Sequence, residues 1–313
     1  MERVDSPHAK GVLRFLPSSI ARDVAALHAR PDWRVLASLQ HKGIARVLDA
    51  GEADDGRVFI VSELVEGRPI DRYCDDEGLT IRQRLDLFER VCSSIQYAHR
   101  KIAVHGGLEA ANVMVTPDGA VKLLDYGMAA LLTASSVKDA ETGLPALAIP
   151  AAYATPEHVR GEPLGVASDV YQLGLLLYLL LAGEPAQPFD AETDVGLESA
   201  VCSVVPQLPS ARVRAGSRSA SLRGFRQASL ARTLRGDLDA IVLYALRKEP
   251  DRRYHSVSLL RSDIQRYVRR LPVWARGNTF AYRLRKFLSR RRAPLTAAAA
   301  ILIFIAVAKA AAG

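Results

Sequence analysis

Polar side chains that could do chemistry flank a short predicted hairpin in the middle of the chain. The hairpin covers residues 113–124 and carries the turn-forming run Thr116-Pro117-Asp118-Gly119 at its tip. His105 and Asn112 precede it, and Asp125 follows it. An imidazole can act as a general base, and amide and carboxylate oxygens can bind a divalent cation. Taken alone, Asp125 is more typical of a turn, and Asn112 of a side chain that hydrogen-bonds its own loop.

The composition limits the classes of protein to which the chain can belong. It has 313 residues, 49% apolar and 24% charged, so disorder and fibrous repeats are excluded and one large or two small domains are expected. The three cysteines, Cys74, Cys92 and Cys202, have no paired spacing. They exclude a disulfide scaffold and are too few for a structural zinc site, which is typical of a protein from a reducing compartment.

Two strands and a long helix are predicted ahead of the hairpin. Residues 11–17 and 57–62 are rich in Val, Ile and Phe and are bounded by turn residues, so both are predicted strands, with a helix between them. Thr80 and Gln83 form a capping-box pattern, and apolar residues then recur at helical spacing to about Lys101.

The second half of the chain is predicted to be mainly helical. Residues 170–181 are almost continuously Leu and Tyr, which predicts a buried helix capped by Ser168. Residues 199–236 contain seven arginines and no acidic residue, which predicts a basic, loosely ordered insert or a partly ordered linker. Its arginines are expected to face solvent; the alternative is that they bind a partner or acidic lipid. Helical periodicity returns at 238–247 and 257–271. Strands followed by helices indicate an α+β architecture.

The basic charge is concentrated at the C-terminal end. The formal net charge is +8, and residues 261–313 hold twelve Lys or Arg against one acidic residue. Residues 276–292 interleave seven basic residues with aromatic and aliphatic ones, which predicts an amphipathic helix. The sixteen residues 293–308 carry no charge. As a helix they span about 24 Å, and Lys309 can reach the interface, so a transmembrane helix over 293–313 is predicted.

The predicted transmembrane helix determines the expected partner of the basic residues. Arginines 290–292 precede it and are expected on the cytoplasmic side. Residues 271–292 are therefore expected to be a juxtamembrane segment at the cytoplasmic (inner) membrane of a single-pass protein, with no nucleic acid as a partner. The alternative is an Ala-rich soluble helix or a frayed tail. Residues 1–30 contain no long apolar run, so no signal peptide is expected.

Six short sequence motifs are each weak evidence alone, but their order and spacing along the chain are specific when taken together. They are residues 12–15, 61–64, 105–112, 124–127, 155–157 and 168–171. Their order resembles a bacterial, eukaryotic-like (Hanks-type) serine/threonine protein kinase, over about residues 12–270. Residues 236–273 and the basic stretch after them are similar to the kinase and transmembrane part of bacterial receptor kinases that carry tetratricopeptide repeats.

The resemblance implies a protein-kinase-like fold of two lobes. Residues 1–65 would form a truncated N-terminal lobe that lacks the strands of the Gly-rich loop, since only eleven residues precede Val12. Residues 66–270 would form a mainly helical C-terminal lobe. The juxtamembrane segment and the transmembrane helix would follow it.

Several positions of the kinase motifs hold other residues here. Arg14 stands where the family has the phosphate-binding lysine, and Asp32 stands where it has the partner glutamate, which implies an Arg14–Asp32 pair. The family motif His-Arg-Asp-Leu-Lys-Pro-x-Asn reads His105-Gly106-Gly107-Leu108-Glu109-Ala110-Ala111-Asn112 in this chain. Gly107 thus replaces the catalytic aspartate, and Glu109 replaces the lysine that meets the transferring phosphate. Both changes oppose phosphoryl transfer.

Other positions of the family are retained. By the resemblance, Asn112 and Asp125 are metal ligands, so ATP with Mg²⁺ or Mn²⁺ remains a candidate cofactor. The residues implied to bind this cofactor are Arg14, Asp32, Glu63 and Leu64. The structural positions of the family are matched by His105, Glu157, Asp169 and Arg253, with a Glu157–Arg253 pair expected.

Three functions remain open at this point. The first is a membrane-anchored pseudokinase that works as a signalling scaffold or regulator by binding another kinase or signalling protein. The second is an active but atypical serine/threonine kinase that uses Asp125 and Asn112 for its metal and another group as base. The third is a decayed remnant. Candidate phosphorylation sites of the activation segment are Ser135, Ser136, Thr142 and Thr155.

Overall fold

The fold consists of a small lobe built on a sheet and a larger helical lobe. A computed structural model describes residues 2–3, 6–16, 24–29, 31–127, 150–187, 194–213, 227–277 and 279–290. The two-lobed α+β architecture implied by the resemblance is confirmed in these residues.

A four-stranded antiparallel sheet forms the small lobe. Its strands are β1 (Glu2–Arg3), β2 (Ser6–Phe15), β3 (Val47–Glu52) and β4 (Val58–Glu63), in the spatial order β1-β2-β4-β3. Helices α1 (Val24–Ala29) and α2 (Pro31–Ala37) pack against β3. The sequence pattern does not predict β3, because two acidic residues and a glycine weaken its strand propensity; its pairing with β4 supplies what the local pattern lacks.

The larger lobe is mainly helical. The helices in its described residues are α3 (Ile70–Asp76), α4 (Ile81–His99), α5 (Pro156–Arg160), α6 (Val166–Ala182), α7 (Asp194–Cys202), α8 (Pro209–Arg212), α9 (Gln227–Leu234), α10 (Asp237–Ala245), α11 (Val257–Val268) and α12 (Phe280–Arg290). The long helix α6 is buried on most faces, as its composition predicts. The capping box of α4 is confirmed: the Gln83 amide donates to Thr80 Oγ1 at 3.4 Å, and the Thr80 amide donates to the Gln83 side chain at 3.0 Å.

The predicted cap of α6 is wrong. The helix begins at Val166, four residues before the predicted start, and Gly165 rather than Ser168 occupies the capping position. Ser168 lies within the first turn, where its hydroxyl accepts the Gly165 amide at 3.2 Å. The physical reason is that a hydroxyl in the first turn can also satisfy a free amide at a helix start.

The predicted hairpin is confirmed and connects the two lobes. Strands β5 (Arg68–Pro69), β6 (Val113–Val115) and β7 (Val121–Leu123) form a three-stranded antiparallel sheet. Leu123 accepts the Ala45 amide at 2.8 Å and donates its own amide to Gly43 at 2.9 Å. The Leu124 amide donates to the Asn112 carbonyl at 2.8 Å, so the two ends of the hairpin, and the residues that flank them, lie side by side.

Residues 199–236 contain more regular structure than their composition predicts. The end of α7 and all of α8 and α9 fall in this segment, and Leu230 and Leu234 of α9 are fully buried. Loose ordering is therefore wrong for residues 199–213 and 227–236, because the leucines of α9 pack into the core. Residues 214–226 lie outside the described residues.

The C-terminal helices begin and end near their predicted limits. α10 and α11 match the two predicted helical stretches, and α12 lies inside the predicted amphipathic segment. The predicted transmembrane helix, residues 293–313, lies outside the described residues. Among the helices of the described part, none is both long and apolar enough to cross a bilayer.

Candidate functional site

The fully buried carboxylate of Asp169, on the central helix α6, holds the loop before the hairpin. The amides of His105 and Gly106 donate to it at 2.9 and 2.8 Å. Nε2 of His99, at the end of α4, lies 2.7 Å from the same carboxylate. Asp169 therefore joins α6, α4 and the loop at one point.

Two residues that no motif marks in the sequence hold the same loop. The Gly106 carbonyl accepts from Gln172 Nε2 at 3.1 Å and lies 2.8 Å from His158 Nε2, and the Leu108 amide donates to Gln172 Oε1 at 3.0 Å. Gln172 follows Asp169 by three residues, so helical spacing from Asp169 was the available signal. For His158 the sequence offered none, because its contact is long-range.

The environment of His158 also decides the role of Thr155. Burial lowers the pKa of His158, so its ring is neutral near neutral pH. Since the Gly106 carbonyl can only accept, Nε2 carries the proton, and Nδ1 accepts from the Thr155 hydroxyl at 2.8 Å. Thr155 is fully buried, so its proposal as a phosphorylation site is wrong. The other candidates, Ser135, Ser136 and Thr142, lie outside the described residues.

His105 is packed in the core and is not placed to act as a base. Its ring is fully buried, and its centroid lies 4.8 Å from that of Tyr126. Nδ1 accepts the Gly107 amide at 3.3 Å. Burial lowers the pKa of His105, so the ring is neutral and its role is structural.

At the position of the catalytic aspartate the chain presents only backbone. Gly107 is buried, and its carbonyl accepts from Asn112 Nδ2 at 3.0 Å. Glu109 is half-buried, and burial together with the negative charge of Asp125 raises its pKa. The loop therefore has no carboxylate at residue 107 and has an acidic group where the family has a basic one.

Arg14 forms an ion pair with Asp125. Its Nη2 atom lies 2.5 Å from Asp125 Oδ2. The implied partner, Asp32, lies in α2, and its side chain is outside the described part of the structure. The expected Arg14–Asp32 pair therefore stays a prediction. The described contact of the guanidinium is with the residue that the resemblance makes a metal ligand, because its long planar head reaches across to the turn after β7.

The turn that carries Asp125 is fixed by its backbone. Asp125 has a φ of 50° and Gly127 a φ of 72°, both in the left-handed region. A Cβ atom on Gly127 would lie 2.3 Å from Leu36 Cδ2 of α2. The positive φ favours glycine at residue 127, and the absence of a Cβ atom there lets Leu36 of α2 pack against the turn.

Glu63 bonds to protein groups on both lobes. One carboxylate oxygen accepts the Arg46 amide at 3.2 Å, and the other contacts Lys122 Nζ of β7. Burial alone would raise the pKa of Glu63, but the bonds from Lys122 and Arg46 outweigh it and lower the pKa.

Leu64, the next residue, is 41% exposed. A cavity nearby has Leu36, Ile60, Ser62 and the Arg14–Asp125 pair in its walls.

The expected partner of Glu157 lies beside it. Arg253 Nη2 is 2.7 Å from Glu157 Oε1, and both side chains are buried. The guanidinium also donates to three backbone carbonyls, those of Arg247, Ala167 and Lys248, at 2.7 to 2.9 Å. Arg253 therefore connects α5, the start of α6 and the turn after α10.

The side chains of Asn112 and Asp125 carry the type of ligand atom that divalent cations such as Mg²⁺ prefer. Asn112 and Asp125 supply hard oxygen atoms, and the hydrogen bond from Leu124 to Asn112 keeps them adjacent. No group of three or more His, Cys, Asp or Glu side chains suited to a metal occurs in the described residues. A cation here would need nucleotide phosphates for its other ligands and would compete with Arg14 for Asp125.

Comparisons with known proteins agree with this geometry. The protein kinase domain family matches residues 14–262. The chain is 31% identical to the serine/threonine-protein kinase PknB of Mycobacterium tuberculosis over 264 residues, 83% of this chain and 39% of that protein. It is also 31% identical over 268 residues to a probable serine/threonine-protein kinase of Streptomyces coelicolor, 84% of this chain and 37% of that protein.

These relatives are longer than the present chain. A third, the probable serine/threonine-protein kinase PknB of Corynebacterium glutamicum, is 32% identical over 235 residues, 74% of this chain and 34% of that protein. The chain thus matches less than half the length of each of the three. The match nevertheless covers both described lobes, and the chain belongs to the protein kinase domain family, among the bacterial, eukaryotic-like serine/threonine kinases.

Proposed function

We propose that this chain is a membrane-anchored pseudokinase that regulates signalling by binding a protein partner, such as an active kinase. The observation that carries the proposal is the loop at Gly107. It is held in place by hydrogen bonds with Asp169, Gln172 and His158, yet at residue 107, where the family has its catalytic aspartate, it offers no side chain to accept the proton of a substrate hydroxyl. A loop that keeps its hydrogen bonds but has glycine at the catalytic position favours a binding function over phosphoryl transfer.

The surrounding charges support the same function. ATP with Mg²⁺ or Mn²⁺ would supply the transferable phosphoryl group and its charge neutralisation, with Asn112 and Asp125 as the metal ligands. Glu109 would repel the phosphates that a lysine attracts. The ion pair between Arg14 and Asp125 stabilises the metal-free state of the site, because a bound cation would have to replace Arg14 as the partner of Asp125.

One observation favours an active, atypical serine/threonine kinase as the second candidate. Glu109 is two residues from Gly107, is half-buried and has a raised pKa. A carboxylate with a raised pKa can serve as a general base. In this alternative Glu109 would take the substrate proton, and Asp125 and Asn112 would hold the metal.

Membrane attachment is the second part of the proposal. The charge-free residues 293–308 follow arginines 290–292, and this order supports a single span with the kinase-like lobes on the cytoplasmic side of the inner membrane. The basic residues are then explained by anionic lipid, without nucleic acid as a partner.

Transfer of labelled γ-phosphate by the full chain, with Mg²⁺ or Mn²⁺, tests the proposal. We expect no incorporation above that of Asp125→Ala, either into the chain itself or into added protein substrate. The double variant Gly107→Asp with Glu109→Lys should give incorporation above this background, because it restores a positioned base and a positive group at the phosphate. Gly107 is not among the residues with a positive φ, so its backbone conformation does not require glycine. Wild-type incorporation that disappears in Asp125→Ala, and in Glu109→Gln, would overturn the proposal in favour of the atypical kinase.

Removal of the Arg14 side chain should strengthen metal binding. Arg14 is half exposed, so its ion pair with Asp125 contributes below about 1 kcal/mol, and Arg14→Ala should bind Mn²⁺ roughly threefold more tightly than wild type. Calorimetric titration with Mn²⁺ in the presence of a saturating, non-hydrolysable ATP analogue measures this. Arg57→Ala, which removes an exposed arginine paired with Asp55, is the matched control and should leave the affinity unchanged. Unchanged or weaker binding by Arg14→Ala would contradict the competition.

A further inference from the structure

The C-terminal helix α12 is fixed to the larger lobe through polar groups. The Tyr282 hydroxyl donates to Asp237 Oδ1 at 3.0 Å and accepts the Val273 amide at 3.0 Å. Arg276 Nη1 lies 3.1 Å from the same Asp237 oxygen, and Lys286 Nζ contacts the other one. Because Asp237 and Tyr282 are both buried, this contact determines which side of α12 faces the lobe.

A second buried carboxylate fixes the chain just before α12. Asp263 of α11 accepts the amides of Trp274 and Ala275 at 2.7 and 2.9 Å and the Tyr254 hydroxyl at 2.8 Å. The segment that leads to α12 is therefore held at two points. Its orientation relative to the larger lobe is set by the fold.

The side of α12 that faces away from the lobe is apolar. Phe280 is 81% exposed, and Leu284 and Leu288 are each 44% exposed. These three residues recur every four positions and form one stripe, whereas Tyr282 and Lys286 lie on the opposite side of the helix. A surface helix of a soluble domain normally turns its apolar side inward. The reversed arrangement indicates that something outside the lobe covers the stripe.

The charges beside the stripe indicate what covers it. Arg283 and Arg285 are exposed and flank the stripe on its two sides. Residues 280–290 contain no acidic residue, so a second copy of α12 would bring like charges together. Aromatic and leucine side chains with flanking arginines match a bilayer surface that contains anionic lipid.

We propose that α12 lies flat in the surface of an anionic bilayer and, being fixed to the lobe through Asp237 and Asp263, sets the orientation of the whole kinase-like domain on the membrane. The inference rests on the proposed membrane attachment and goes beyond it. A flexible anchor would leave the partner-binding faces in any orientation, whereas a docked interfacial helix presents one defined face to the cytoplasm.

Accessibility of a label on the stripe tests this arrangement. The full chain, with Cys202→Ser and Leu284→Cys, carries an environment-sensitive fluorophore and is placed in bilayer discs of phosphatidylcholine alone or with about one quarter phosphatidylglycerol. We expect quenching by aqueous acrylamide to be several-fold weaker in the anionic discs. Leu259→Cys in α11, which is also 44% exposed, is the matched control and should be quenched equally in both.

In anionic discs, Arg283→Gln with Arg285→Gln should lower the docked-to-free ratio about 25-fold, at about 1 kcal/mol for each basic residue.

Each other outcome overturns the proposal in a distinguishable way. Equally strong quenching at residue 284 in both kinds of disc would show that α12 does not lie in the bilayer, although the chain is attached. Equally weak quenching would show that it lies there without any need for anionic lipid. Protection in detergent solution that grows with protein concentration would show that a second copy covers the stripe. Failure of the chain to enter discs of either composition would overturn membrane attachment and this inference together.

Discussion

The Asp169→Ala variant is expected to lose about 3–5 kcal/mol of folding free energy, the range measured when one partner of a buried charged network is removed. The loss arises because the amides of His105 and Gly106 and the ring of His99 all lose their acceptor inside the core. For a chain of this size the loss corresponds to a drop in melting temperature of about 10 °C. Thermal unfolding of the full chain in detergent, followed by circular dichroism, measures it.

Two variants make this result interpretable. Asp86→Ala removes an exposed carboxylate of α4 that pairs only with Arg82 among the described residues, so it should change the melting temperature by no more than a degree or two. Asp169→Asn keeps one acceptor oxygen and should fall between wild type and Asp169→Ala. If Asp169→Ala melts like Asp86→Ala, the carboxylate does not hold the loop. A cooperative transition that depends on Asp169 would also argue against a decayed remnant.

The Arg253→Met variant is expected to lose a similar amount, about 3–5 kcal/mol. It leaves the Glu157 carboxylate buried without its counter-ion and removes the donors to three backbone carbonyls. Methionine fills much of the same volume, so the loss reports charge and hydrogen bonding more than a cavity. Chemical denaturation of the full chain, with the unfolding midpoint as readout, measures it.

The neighbouring arginine provides the matched control. Arg252 lies in the same turn but is exposed, so Arg252→Met should leave the midpoint within about 0.5 kcal/mol of wild type. Adding Glu157→Gln to Arg253→Met removes the unpaired charge and should recover part of the loss. No recovery in this double variant would mean that the backbone contacts of Arg253, and not its ion pair with Glu157, carry the stability.

Much of the fold could be predicted from the sequence, because its signals are local. The capping box at Thr80, the turn between β6 and β7 and the apolar run of α6 each depend on residues within one element. Elements whose stability comes from distant partners cannot be predicted from such local patterns. Strand β3 depends on β4, and α9 depends on the core that buries Leu230 and Leu234.

The same division holds for the candidate site and for helix α12. The sequence by itself determined the family and the replacements at Arg14, Gly107 and Glu109, because motif order and residue identity are written along the chain. Only the tertiary structure decided that Arg14 pairs with Asp125, that Thr155 is buried, and that α12 turns its apolar stripe outward. These facts depend on contacts between residues that are far apart in the sequence. Helical or strand periodicity carries no information about such long-range contacts.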